Sequence, residues 1–104
     1  MNDIEFFRNK NPKACLEYCD FATKLYQILL RQDAFENNVR IEKYYNSFNF
    51  IFPNGEITIM TFAPMNYPCY VTHINGNTFN DFFDNVGDIT SWLKENWDDL
   101  VKST

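Results

Sequence analysis

Residues 48–62, FNFIFPNGEITIMTF, carry the clearest polarity pattern in the chain. Phe48, Phe50 and Phe52 alternate with Asn49 and Ile51, the period of two that places one residue set on one face of a sheet. Pro53-Asn54-Gly55 interrupts the run. Pro53 presets φ for a type I turn, Asn54 suits the next position, and Gly55 accepts the left-handed conformation that closes a three-residue hairpin loop. After Glu56 the chain resumes with Ile57, Thr58, Ile59, Met60, Thr61 and Phe62, mostly β-branched or apolar. The expectation is a β-hairpin around which the rest of the chain packs.

Before it, Asn11-Pro12 reads as a helix start, with Asn as N-cap and Pro at the first helical position. Cys15, Tyr18, Cys19, Ala22, Leu25, Tyr26 and Leu29 then step by three and four, which predicts an amphipathic helix to about Phe35. Phe21, Ile28, Leu30 and Phe35 widen its apolar stripe. Lys13–Glu17 and Asp20–Lys24 are opposite charges four apart on the other face. Asn37-Asn38 marks its end. Ile4, Phe6 and Phe7 can dock a short segment ahead of it. Val39 to Tyr45 reads as an edge strand, with Ile41, Lys43 and Tyr45 on one side and Arg40, Glu42 and Tyr44 on the other. A turn at Asn46-Ser47 leads into the hairpin.

Past the hairpin, residues 63–68 hold two prolines and read as a loop. Cys69 to Ile74 is a short strand with Cys69, Val71 and His73 on one side and Tyr70, Thr72 and Ile74 on the other. A turn at Asn75-Gly76-Asn77 follows. Thr78, with Asp81 three residues on, resembles a capping box for a helix ending at Gly87. Asp88 caps a last helix, roughly 89–101. The predicted fold is thus a single α+β domain over residues 1–104. Its parts are an N-terminal helix, a three- to four-stranded antiparallel sheet, and two C-terminal helices, with the helices on one sheet face.

Composition supports a folded core: 45% of residues are hydrophobic and eleven are Phe, far from the profile of a disordered chain. No run of eighteen apolar residues occurs, and charges stand where a secretion signal needs an apolar stretch, so cytoplasmic residence is the default expectation. The net charge of −5 is uneven. Residues 1–52 balance seven acids with seven bases. Residues 53–104 set Glu56, Asp81, Asp84, Asp88, Glu95, Asp98 and Asp99 against Lys94 and Lys102, and so carry the whole imbalance. That argues against nucleic acid or an anionic membrane as partner and allows a basic protein.

Four residues invite a reading as chemistry. Cys15-x3-Cys19 and Cys69-x3-His73 imitate a zinc ligand set. Cys69 and His73, however, stand four apart on a strand, roughly 13 Å at the strand rise per residue, too far for one tetrahedral ion. His73 is the sole histidine, with Cys69 its nearest candidate nucleophile and no glycine-rich elbow or phosphate loop beside it. The ordinary role of the three cysteines is that of small buried hydrophobes. No cofactor motif is present.

The acids of the last third divide by role. Asp81 and Asp88 have capping duties near helix starts. Asp98-Asp99, near a helix C-terminus, oppose the helix dipole and gain nothing locally. The candidate partner-binding set is therefore Asp81, Asp84, Glu95, Trp97, Asp98 and Asp99, an acidic rim around an aromatic side chain. The function this favours is a small acidic module that captures and blocks a basic partner, as immunity proteins or inhibitors do with a toxin nuclease. Two alternatives stand beside it: a homo-oligomeric module pairing through the Arg40–Tyr45 edge, and a small enzyme or metal protein built on Cys69, His73 and the Asp cluster.

Overall fold

A computed structural model describes residues 16, 19–44, 46–60, 69–74, 76–78 and 82–102. In chain order the elements are helix α1 (Asp20–Arg31), a 3-10 turn (Ala34–Asn37), strands β1 (Arg40–Lys43), β2 (Ser47–Phe52), β3 (Gly55–Met60), β4 (Cys69–Ile74), β5 (Asn77–Thr78) and β6 (Phe82–Phe83), and helix α2 (Val86–Val101). The class is α+β. The segment around Ile4, Phe6 and Phe7, the Asn11-Pro12 start, the Lys13–Glu17 pair, the proline loop 63–68 and Asp81 lie outside the described residues.

β1 to β4 form an antiparallel meander, and β5 and β6 both pair with β4 on its far edge, one toward each end. The inner face is built from the alternation that marked the hairpin. Phe48, Phe50, Phe52, Ile57, Ile59, Cys69 and Val71 are buried, and so are Ala22, Leu25 and Leu29 of α1 and Ile89, Leu93 and Leu100 of α2. These residues form one cluster, so both helices lie on the same side of the sheet. Two ring contacts fasten α2 to the sheet: Phe83 meets Trp92 at 6.2 Å, and Phe52 meets Trp97 edge-on at 6.0 Å.

The helix expected over 12–35 is shorter than its apolar stripe. Cys19 is extended, at φ −137° and ψ 105°, and the helix begins only at Asp20. Asp33 adopts a left-handed conformation, φ 52°, and the chain tightens into the 3-10 turn, which ends at Asn38 with φ 64°. Periodicity alone does not register such a break, because the residues on either side keep the same spacing. Asp20 and Lys24 do form the expected pair, at 2.9 Å.

Two further corrections concern the C-terminal third. The helix expected from Thr78 to Gly87 does not form. Thr78 belongs to β5, and Phe82–Phe83 pair with Tyr70 and Cys69 of β4. Successive phenylalanines suit a strand, which sends Phe83 inward to Trp92 and leaves Phe82 outward, 52% exposed. Among the described residues one C-terminal helix is therefore present, not the expected two. Its cap is Asn85 rather than Asp88. The Asp88 N–H donates to Asn85 Oδ1 at 2.9 Å, and Asn85 Nδ2 donates back to Asp88 Oδ2 at 2.9 Å, a reciprocal arrangement that satisfies a free donor of the first turn. Asn85→Ala removes it, and we expect a loss of about 1 kcal/mol in chemical denaturation.

At the hairpin, Phe52 pairs directly with Gly55, so Pro53-Asn54 form a two-residue loop and Gly55 is the first residue of β3. The expected left-handed Gly55 gives way to a packing reason for glycine at this position. A Cβ there would overlap the Leu100 Cδ2 methyl and stand 2.9 Å from the His73 carbonyl. Asn54 also closes the end of α2. Its N–H donates to the Leu100 carbonyl at 3.0 Å and its side chain donates to the Lys102 carbonyl. The turn of the central hairpin thus serves as the C-terminal cap of the helix packed beneath it.

Candidate functional site

The solvent side of α2 presents Asp88, Glu95, Asp98 and Asp99, all exposed, with exposed Asp84 just before the helix. Steps of seven and four align Asp88, Glu95 and Asp99 along one side of the helix. Asp98, three residues from Glu95, flanks that stripe. Asn85 draws Asp84 to it, because its amide donates to Asp84 Oδ1 at 2.8 Å as well as to Asp88. Of the six candidate residues, the structure gathers Asp84, Glu95, Asp98 and Asp99 onto this surface and adds Asp88.

Trp97 departs from its expected role. It is half-buried with its ring against Phe52, so it secures the helix to the sheet and is not an open anchor. Among the described residues, none of the five carboxylates is in ion-pair contact with a lysine or arginine; the pairs formed are Asp20–Lys24, Arg40–Glu42 and Glu56–His73. Lys94 and Lys102 share the surface but leave five acids against two bases. The last turn of α2 holds no basic residue. Its closing carbonyls are met by Asn54, with Lys102 as the C-cap residue, and Asp98 and Asp99 oppose the dipole within the last turn. Glu95 and Asp99, like charges four apart, add a few tenths of a kcal/mol of repulsion.

Cys69 and His73 are not brought together. Ile57 pairs with Val71 while Glu56 pairs with His73, which makes Thr72 the extra residue of a β-bulge. The bulge moves His73 off the side of Cys69 and Val71 and sends Ile74, 4% exposed, to the core in its place. Cys69 faces inward, its thiol pushed far above the ordinary range by burial and then by the neighbouring Cys19. It therefore stays a neutral thiol and makes a poor nucleophile. His73 lies outward, its Nδ1 3.9 Å from Glu56 Oε2.

That outer face carries a polar chain which sequence reasoning missed. Ser47 Oγ donates to Asn49 Oδ1 at 3.0 Å, and Asn49 Nδ2 donates to Glu56 Oε1 at 2.6 Å, ending at His73. The alternation of Ser47 and Asn49 with the phenylalanines signalled the face, but the link across strands needs the register. A groove of about 400 Å³ opens near one end of the sheet between Asn38, Arg40, Ile51, Phe52, Pro53 and Val101. Among the described lining residues Arg40 is the one that carries a charge, and none of the five carboxylates lines the groove. Among the described residues, no three histidine, cysteine or acidic side chains converge as a metal site would require. Likewise, no described helix is long and apolar enough to cross a membrane.

No protein-family model matches the chain, and neither curated proteins nor solved structures give a significant match.

Proposed function

We propose that this chain is a binding module that captures a basic protein on the acidic side of α2 and blocks it, in the manner of an immunity protein or inhibitor of a toxin nuclease. The observation that carries this reading is the set of five exposed carboxylates on and beside one helix, none paired with a cation among the described residues. At the C-terminal end of the helix, Asp98 and Asp99 cost folding energy through an opposed dipole and Glu95–Asp99 through repulsion, and a cationic partner returns that energy on binding. The helix that bears it is held at both ends, by the Asn85 cap and by Asn54, so the charges are fixed before the partner arrives.

Charge steering of this kind gives fast association that slows as salt screens it. The test is affinity capture from the source cells with the full chain as bait, followed by binding kinetics of the captured protein over a range of ionic strength. We expect a partner with a basic surface and an association rate that falls about tenfold or more from low to high salt. A partner without such a surface, or a rate indifferent to salt, contradicts the proposal.

A further inference from the structure

Two needs of the fold set a labile pair of residues side by side. Position 54 holds a side-chain donor, because the Asn54 amide closes the end of α2 on the Lys102 carbonyl while its N–H serves the Leu100 carbonyl. Position 55 holds glycine, because a Cβ there would overlap Leu100 and stand 2.9 Å from the His73 carbonyl. The result is an asparagine followed by a glycine. Asparagine is among the thermolabile side chains. It is most labile where its successor has no Cβ to hinder the approach of the backbone nitrogen to Cγ. The chain holds one other such step, Asn75-Gly76, whose Asn75 lies outside the described residues.

The fold restrains the reaction and sets its consequence. Asn54 is half-buried beside exposed Pro53, and Gly55 is fixed in β3 opposite Phe52. Ring closure swings the Gly55 nitrogen onto Asn54 Cγ, so the ladder pair and the cap both let go first, in a local opening rather than global unfolding. The nitrogen then bonds to Cγ, the Cγ–Nδ2 bond breaks, and ammonia leaves with the Gly55 proton. Water opens the five-membered imide at either carbonyl, giving an aspartyl or an isoaspartyl residue. Either product has a carboxylate where the amide stood. A carboxylate only accepts hydrogen bonds, so it does not donate to the Lys102 carbonyl, and it stands against the negative end of the α2 dipole. We propose that Asn54 is a site of spontaneous deamidation, reached by local opening of the hairpin turn, whose product releases the C-terminal end of α2 and does not recap it. It acts as a slow one-way switch at the junction of hairpin and helix, and it is independent of what the acidic side of α2 binds.

The test holds the full chain in mildly alkaline buffer, where base promotes imide formation, and follows it by peptide mapping and amide exchange. Position 54 converts to aspartyl and isoaspartyl products, about tenfold or more slowly than in the same chain unfolded by urea. In the converted molecules the Leu100 and Val101 amides exchange about tenfold faster. N54D, one of the two products made directly, shows the same faster exchange. Asn54→Ser forms no imide, and its Leu100 and Val101 exchange does not change with age. A native chain that stays unconverted at position 54 overturns the proposal, as does one that converts as fast as the urea-unfolded chain. A converted chain whose Leu100 and Val101 exchange as before overturns it too, and so does exchange that quickens with age in Asn54→Ser, which places the change elsewhere. Should N54D fail to fold, the converted wild type decides by the same exchange measurement.

Discussion

Phe50→Ala lowers the free energy of unfolding by about 3–5 kcal/mol, whereas Ile51→Ala, one residue further on, costs about 1 kcal/mol or less. The difference comes entirely from the pleat. Phe50 is fully buried between β1 and β3, where it pairs with Ile41 and Ile57 under both helices. Its removal leaves a cavity that rigid neighbours on two strands cannot fill. Ile51 points to the other face, half-exposed between Arg40 and Glu56. Urea denaturation of both variants measures the pair. Against the 5–15 kcal/mol that holds a domain of this kind together, about 3–5 kcal/mol brings Phe50→Ala close to the unfolding threshold. Equal losses in the two variants would mean that the helices do not cover the face assigned to them.

Gly55→Ala carries the second large effect, about 2–3 kcal/mol of destabilisation, from the addition of one carbon. The added methyl meets Leu100 of α2 on one side and the His73 carbonyl at 2.9 Å on the other. Leu100 can rotate away at the expense of its packing, but the carbonyl is backbone in the adjacent strand and yields only if β3 and β4 separate. The double variant Gly55→Ala/Leu100→Ala therefore recovers none of the stability that the backbone clash removes and adds a cavity besides. Thermal unfolding of the single variant should fall by roughly 10 °C. An unchanged midpoint would show that α2 does not press against the hairpin at this point.

Gly55 also shows where reading a sequence stops. Its place after Pro53-Asn54 suggests a left-handed turn residue, and that local argument is sound for an isolated hairpin. Its actual constraint comes from Leu100 and His73, which are remote in sequence. The hairpin, the meander and α2 were legible because each is a local period: the phenylalanine alternation in β2, and Ile89, Leu93 and Leu100 in α2. The helix expected at 78–87 failed because Phe79, Phe82, Phe83 and Val86 fit a helical step while Phe82–Phe83 were claimed by pairing with β4, a tertiary decision. The bulge at Thr72 left no local mark, and it alone separates His73 from the side of Cys69. The acidic surface was the most legible part of the candidate site, since charge on a helix surface needs no partner to be read. Trp97 was not, because only the ring of Phe52 shows which way it turns.

The central claim is that the carboxylates of α2 do the capturing. Its most direct test is the affinity of the captured partner for the wild type and for the triple variant Glu95→Gln/Asp98→Asn/Asp99→Asn, measured by titration calorimetry at low salt. All three residues are exposed and make no ion pair among the described residues, so the variant should fold with equal or slightly greater stability. We predict affinity at least 100-fold weaker, about 2.8 kcal/mol. An unchanged affinity in the folded variant would contradict the account.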